Sequence, residues 1–271
     1  MPPICIGFRR QINTFFKETY TMIIQFKHNE KNYEADLSKP LDLSIPLFSG
    51  AQNPNAFHIN NPLFEPVKVG TFIGSVIDGG ACNCENLKLN AHGNGTHTEC
   101  VGHISKERIT INQTLKNFYA IAQVISVLPQ QLENSDNLVT KQSIAAHYNP
   151  NANAVIIRTL PNNESKKMNQ YSGNNPTYLE PALGEFLANQ NVKHLLVDLP
   201  SVDREEDGGA LATHHAFWQY PQNTRFDSTI SELIFVNNEI ADGFYLLNLQ
   251  IASFESDASP SKPVLYKINE L

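Results

Sequence analysis

Twelve consecutive residues, His92-Gly-Asn-Gly-Thr-His97-Thr-Glu99-Cys-Val-Gly-His103, gather three imidazoles and a carboxylate. The chain's nine histidines in 271 residues would put only roughly 0.4 in a window of that size, so the clustering needs a cause. Imidazole and carboxylate are the donors preferred by borderline divalent ions such as zinc or manganese. His97 and Glu99 stand at i and i+2, so on an extended segment both side chains face the same way. His92 precedes His97 by five residues across Gly93-Asn-Gly95, and glycines let the backbone double back so that its ring meets the same ion. His103, four residues beyond Glu99, fits either a ligand or a general base. By its spacing alone such a cluster suits a divalent metal site with an acid/base histidine beside it.

Side chains of this kind need rigid elements behind them. Residues 22–26 and 32–35 read as a hairpin, and 42–47 as a short strand ending near a proline. Residues 48–66, rich in Asn, Pro and Phe without a period, read as an irregular loop and a candidate substrate lid. Residues 70–77 have strand character, Asp78-Gly79-Gly80 that of a turn, and 87–91 that of a strand leading into the motif. The apolar runs 118–128, 154–158 and 193–198 predict buried strands, and 230–236 and 244–251 predict two late ones. Helices are expected over 140–147 and over 177–188, where Leu179, Ala182, Leu183, Phe186 and Leu187 share a face and Thr177 offers a cap. Strand, helix and strand in that order predict an α/β fold with a mixed β-sheet core and flanking helices.

With 41% hydrophobic and 17% charged residues, the chain suits one compact domain over 22–271, leaving residues 1–21 as an N-terminal extension outside the fold. A formal charge of -7 argues against a nucleic-acid partner, which demands a concentrated positive surface. No signal sequence and no run of ~20 apolar residues is evident, which predicts no membrane span and a soluble, cytoplasmic protein. Cys5, Cys82, Cys84 and Cys100 are too few and too uneven to staple a small secreted fold, and Cys82-Asn-Cys84 reads as ordinary thiols. Asp198 and Asp203 flank Pro200-Ser201 beyond a buried strand, where a supporting or turn-forming role is expected. Ser201 lacks a G-x-S-x-G elbow, which disfavours a serine triad. Trp218, Tyr220, Phe57 and Phe64 are candidates to wall an aromatic pocket or to pack in the core, and His28, His147 and His194 stand alone.

The run from His92 to His103 resembles the H-x-G-T-H-x-D-x-x-x-H signature of the cyclase family, metal-dependent hydrolases that include bacterial-type kynurenine formamidase and isatin hydrolase. Asp42-Leu-Ser-Ile-Pro resembles that family's opening strand. Val197-Asp-Leu-Pro-Ser-Val-Asp203 with His214 resembles its D-x-P-S-x-D…H segment, so the similarity spans roughly residues 42–268. The resemblance implies a swivelling β/β/α-type domain. It implies that His92, His97 and Glu99 bind metal, that His103 is the proton donor and acceptor, and that His214 and Glu232 complete a site for one or two ions, zinc foremost or manganese. His215 is the alternative to His214. It further implies hydrolysis of an amide-type C–N bond in a small-molecule substrate, arylformamidase-like as in tryptophan catabolism, by a homodimer or homotetramer. A lactam, cyclic imide or lactone is the alternative substrate class, and a metal-binding scaffold without catalysis the alternative role. Three departures stand out: His92 lies one residue further from His97 than the pattern has it, Glu99 replaces aspartate, and Val101 stands where proline is common. Residues 220–227 look like an insertion between His214 and Glu232.

Overall fold

The computed structural model describes residues 20–271, so the expected extension over 1–21 lies almost wholly outside the described residues, as does Cys5. At its centre is a ten-stranded mixed sheet. In chain order its strands are β1 (Ile23–His28), β2 (Lys31–Asp36), β3 (Leu41–Asp42), β4 (His97–Cys100), β5 (Tyr119–Val127), β6 (Ala154–Thr159), β7 (His194–Val197), β8 (Thr229–Glu232), β9 (Gly243–Ile251) and β10 (Ala258–Glu270). Strands β5, β6, β7 and β8 run parallel as neighbours. Antiparallel β4 flanks β8, and antiparallel β9 flanks β5. The long β10 pairs with β9 and also, through Ala258–Pro260, with β4. The pairing path therefore closes on itself, which leaves β4 buried along its whole length. This fold is mixed α/β with a sheet core, as the sequence predicts.

The parallel strands β5, β6 and β7 are mostly apolar because both of their faces are covered. Ile125, Val127, Val155, Ile157, Leu195 and Val197 pack with Leu183, Leu187, Phe217 and Trp218 of the helices Pro181–Asn189 and Ala212–Trp218. The alternate residues Ala122, Val124, Ala154, Ile156 and Leu196 pack with Leu43, Cys100, Leu247 and Leu265 on the other side. Those two layers hold the strand ends in place, and the strand ends carry the cluster. Among the described residues no helix is long and apolar enough to cross a membrane.

Four local expectations are corrected. Residues 70–77 form only the two-residue strand Phe72–Ile73, paired with Lys68–Val69. A Cβ on Gly74 or Gly80 would fall 2.3 Å from the Cys84 carbonyl oxygen or 1.9 Å from that of Ile73, so the segment is a tight knot of turns that cannot run straight. The helix expected over 177–188 starts at Pro181, with Glu180 as an extended N-cap, because proline favours the first helical position and holds its predecessor out of helical space. The opening strand expected over 42–47 is limited to Leu41–Asp42. The strand expected over 230–236 ends at Glu232, where Leu233 takes a φ of 52° and turns the chain away.

His194, at the start of β7, is buried with Nδ1 2.9 Å from Thr229 Oγ1. Burial lowers its pKa from 6.5 to about 4. The unfolded chain thus binds the extra proton first as pH falls, so stability is complete above pH 6.5 and drains away toward pH 4. The loss attributable to this one group is on the order of 3 kcal/mol. In urea denaturation of chelator-treated protein, His194→Gln is expected to show a shallower decline between pH 7 and pH 5 than the parent. Equal slopes would show that His194 is not the titrating group.

Candidate metal centre

The motif does not begin at a strand's end. A helical turn, Ala91–Asn94, intervenes between the strand Glu85–Lys88 and β4. Asn90 caps it by accepting from the Gly93 amide at 3.1 Å, and Asn94 Oδ1 accepts from the Asn90 amide at 2.8 Å. Gly93 is required there, since a Cβ would lie 2.7 Å from the Ile59 side chain and 3.0 Å from the Ala56 carbonyl oxygen. This turn, rather than a doubled-back glycine loop, carries the His92 ring to 5.2 Å from that of His97.

Strand β4 then sets His97 and Glu99 on one side, both fully buried. His97 sits opposite Glu232 in the antiparallel register with β8, and its Nε2 lies 3.3 Å from Glu232 Oε2. Glu232 Oε1 accepts from the Val202 amide at 2.9 Å. A single turn of 3₁₀ helix, Val101–His103, follows β4 and lifts His103 to the rim. Its ring lies 4.4 Å from that of His92 and 5.3 Å from that of His214. A Cβ on Gly102 would fall 1.9 Å from the Ile109 carbonyl oxygen, so Gly102→Ala must spread the backbone beneath His103. We expect a loss of about 1–3 kcal/mol from that crowding, read as a lowered Tm, and an unchanged Tm would contradict the close approach.

His214 comes from the helix Ala212–Trp218, whose start is gripped by Asp203: Oδ1 accepts from the Thr213 amide at 2.7 Å and Oδ2 from the His214 amide at 3.2 Å. Asp203 Oδ2 also takes His214 Nδ1 at 2.6 Å, which turns Nε2 onto Glu99 Oε1 at 2.9 Å. His215 faces away, its Nδ1 3.1 Å from the Tyr220 carbonyl oxygen. The structure therefore brings His92, His97, Glu99, His103, His214 and Glu232 together and leaves His215 out. Trp218 is fully buried, its ring 5.4 Å from His214 and its Nε1–H donated to Ser228 O at 3.0 Å; it backs the histidine from the core.

Sequence reasoning missed Asp257, in the turn before β10. Its Oδ2 lies 2.9 Å from His92 Nε2 and 3.3 Å from His103 Nδ1. Its only sequence signal is an acidic residue in a polar turn ahead of a strand, which points nowhere by itself.

The donor set fits a divalent cation on two observations. First, His97 Nε2 and Glu99 Oε2 are buried without a hydrogen-bond partner, although Glu99 Oε2 lies 3.1 Å from His92 Nδ1; that contact is close but out of line for a hydrogen bond. Second, each of His92, His97 and His214 has one ring nitrogen anchored outward, on Asp257, Gly95 O and Asp203 respectively, and the other turned toward Glu99 or Glu232. Metal-binding histidines show this arrangement, the anchored N–H fixing the tautomer so that the free lone pair meets the ion. Ligand atoms of His92, His97 and Glu99, and again of Glu99, His103 and His214, lie within 4.8 Å of one another, so Glu99 belongs to both groups.

The electrostatics agree. Burial pushes the Glu99 pKa up, yet the facing charges of His103 and His214 overcome it and hold the carboxyl well below its usual range. Burial likewise opposes protonation of His92, but the hydrogen bond to Asp257 and the close negative charge of Glu99 carry it up to about 10. A buried field this negative favours cationic charge at its centre.

A sequence profile described as "Putative cyclase" matches residues 35–204. Kynurenine formamidases from Bacillus thuringiensis (strain Al Hakam) and from a strain of Bacillus cereus are each 25% identical over 235 residues, covering 86% of this chain and 97% of their own length. Among solved structures, isatin hydrolase A from Labrenzia aggregata superposes with a TM-score of 0.64 at 14% identity, covering 84% of this chain and 93% of its own. A predicted metal-dependent hydrolase from Bacillus stearothermophilus does so with a TM-score of 0.60 at 15% identity, covering 84% of this chain and 98% of its own. At those identities the superpositions speak to the fold alone.

Proposed function

The chain belongs to the cyclase family, and from that premise we propose that it is a metal-dependent hydrolase of an amide-type C–N bond, arylformamidase-like, with N-formylkynurenine or a related aryl formamide as substrate. The observation that carries the reading is the convergence of one ring nitrogen each from His92, His97 and His214 on two buried carboxylates, with His97 Nε2 and Glu99 Oε2 lacking a hydrogen-bond partner and one further histidine, His103, on the exposed side of the same cluster. The formamidase relatives match over nearly their full length, which favours this substrate class over the others.

In this reading His92, His97, Glu99, His214 and Glu232 would hold one or two divalent ions, zinc foremost. When bound, such an ion supplies Lewis acidity toward the acyl oxygen and acidifies a water molecule. His103 does the proton work: with Nδ1 turned to Asp257, its Nε2 takes a proton as water adds to the carbonyl and returns it to the departing nitrogen. Asp203 keeps His214 aimed at Glu99, and the Val202 amide holds Glu232 in place. Partial exposure of His103, at 28% of its side chain, gives a small molecule access to that ring while His97, Glu99 and His214 stay sealed.

A homodimer or homotetramer is part of the proposal. It is supported by an apolar sheet face, Phe26, Phe244, Tyr266 and Ile268, that the described helices leave partly open. Elemental analysis of purified protein, combined with a panel of aryl formamides, lactams, cyclic imides, lactones and esters, tests the function. We expect at least one divalent ion per chain and turnover fastest on aryl formamides. Faster lactam, imide or lactone turnover would reassign the substrate, metal without turnover would leave a scaffold, and no divalent metal at all would end the proposal.

A further inference from the structure

Asp257 is the carboxylate that the ligand and acid/base assignments leave without a role, and we propose that it is a positioning residue that orients His92 and His103 together. One oxygen serves both rings, Oδ2 lying 2.9 Å from His92 Nε2 and 3.3 Å from His103 Nδ1. A carboxylate only accepts, so both ring nitrogens facing it carry hydrogen. With Nε2 held as the N–H, Nδ1 is the His92 nitrogen that would give up its proton to hold a metal, on the side of Glu99, and Nε2 is the His103 atom able to exchange protons with substrate. The two rings lie 4.4 Å apart, tilted by 30°, and share one acceptor, so a change in one tautomer disturbs the other.

The turn that presents Asp257 is fixed from several sides. Its carbonyl oxygen accepts from the Cys100 amide at 3.0 Å, and that of Ser256 accepts from the Ile111 amide at 2.7 Å. Arg108 Nη2 donates to Glu255 O at 2.6 Å, while the Glu255 carboxylate takes Thr110 Oγ1 at 2.7 Å and Asn112 Nδ2 at 2.5 Å. Asp257 Oδ1 accepts from Ser256 Oγ at 3.1 Å. A surface turn held this firmly delivers its carboxylate to one spot. Asp203 anchors only His214 and Gly95 O only His97 among the site histidines, whereas Asp257 ties a proposed metal-holding ring to the proposed acid/base ring.

The inference rests on the function proposed above, and its test separates the two. Zinc affinity of chelator-treated protein is measured against a competing chromophoric chelator. Turnover at saturating zinc is measured for Asp257→Ala and Asp257→Asn, each alone and combined with His103→Gln. Alanine removes the shared acceptor, and asparagine, nearly isosteric, replaces the charged oxygen by a neutral amide oxygen and so weakens both contacts; it carries the measurement if the alanine variant fails to fold. We expect zinc affinity to weaken by about 10–100-fold. Turnover should fall by a similar factor of about 10–100 with KM nearly unchanged, but by under about threefold further where His103 is already glutamine, because partners in one network are not additive. Unchanged zinc affinity overturns the His92 half of the proposal, and equal turnover losses on both backgrounds overturn the His103 half. If the parent binds zinc but hydrolyses nothing in the panel, the proposed function has failed, while the zinc affinities still decide whether Asp257 orients His92.

Discussion

His103→Gln is expected to keep its metal and lose about 10²–10⁴-fold in turnover, the usual range for a positioned acid/base. The expectation follows from where the residue sits. His103 lies at the rim, on a 3₁₀ turn, its Nδ1 3.8 Å from Glu99 Oε2 and 3.3 Å from Asp257 Oδ2. His92, His97 and His214 each direct a nitrogen at a buried carboxylate from closer range, 2.9 to 3.3 Å. Glutamine fills similar space and keeps a polar end near Asp257, yet it has no pKa with which to exchange protons near neutrality. Metal content by elemental analysis and turnover on the best substrate of the panel check this together. Full turnover with metal retained would remove His103 from the mechanism. Loss of metal in proportion to activity would make it a ligand instead, the other role its spacing from Glu99 allows.

Much of this centre was legible because its chemistry is local. His92, His97, Glu99 and His103 lie within one short stretch, and a period-two reading of His97 and Glu99 holds on the strand that carries them. The buried strands 119–127, 154–159 and 194–197 were legible for a related reason: an apolar run covered on both faces has little else it can be. Failures cluster where a single backbone angle or a distant partner decides. Glu232 ends the strand expected to run on to residue 236, since Leu233 at positive φ turns the chain away. Residues 70–77 had the composition of a strand but no neighbouring strand beyond a two-residue partner, and sequence alone does not reveal a missing partner. Asp257 is 154 residues from His103, and it reaches the cluster only because β10 closes the ring of strands against β4. Likewise the choice of His214 over His215 is made by Asp203, eleven residues earlier.

Glu99 faces His92, His103 and His214 at once, so Glu99→Ala should have the largest effect on metal binding. Its Oε1 lies 2.9 Å from His214 Nε2 and its Oε2 3.1 Å from His92 Nδ1, and the side chain is fully buried. Removing it deletes the negative charge that offsets the cation and leaves the rings of His92, His103 and His214 facing a hole. Replacing a residue that merely orients a ligand typically costs about 10–100-fold in affinity, and Glu99 is proposed as a donor itself, so zinc affinity should fall by at least about 100-fold, with activity following. Glu99→Asp separates charge from reach. It keeps the carboxylate, and it restores the residue that the family signature carries at this position, but it withdraws the oxygens by about 1.5 Å, one carbon–carbon bond. In this chain the aiming of His214 by Asp203, and the position of His92 on its helical turn, are set for the longer arm. We therefore expect Glu99→Asp to bind zinc more weakly than the parent and more tightly than Glu99→Ala, as measured by chelator competition. Parent-like affinity and turnover in Glu99→Asp would mean that the strand and helix ends yield by that distance at little cost, and that the longer side chain is a neutral replacement.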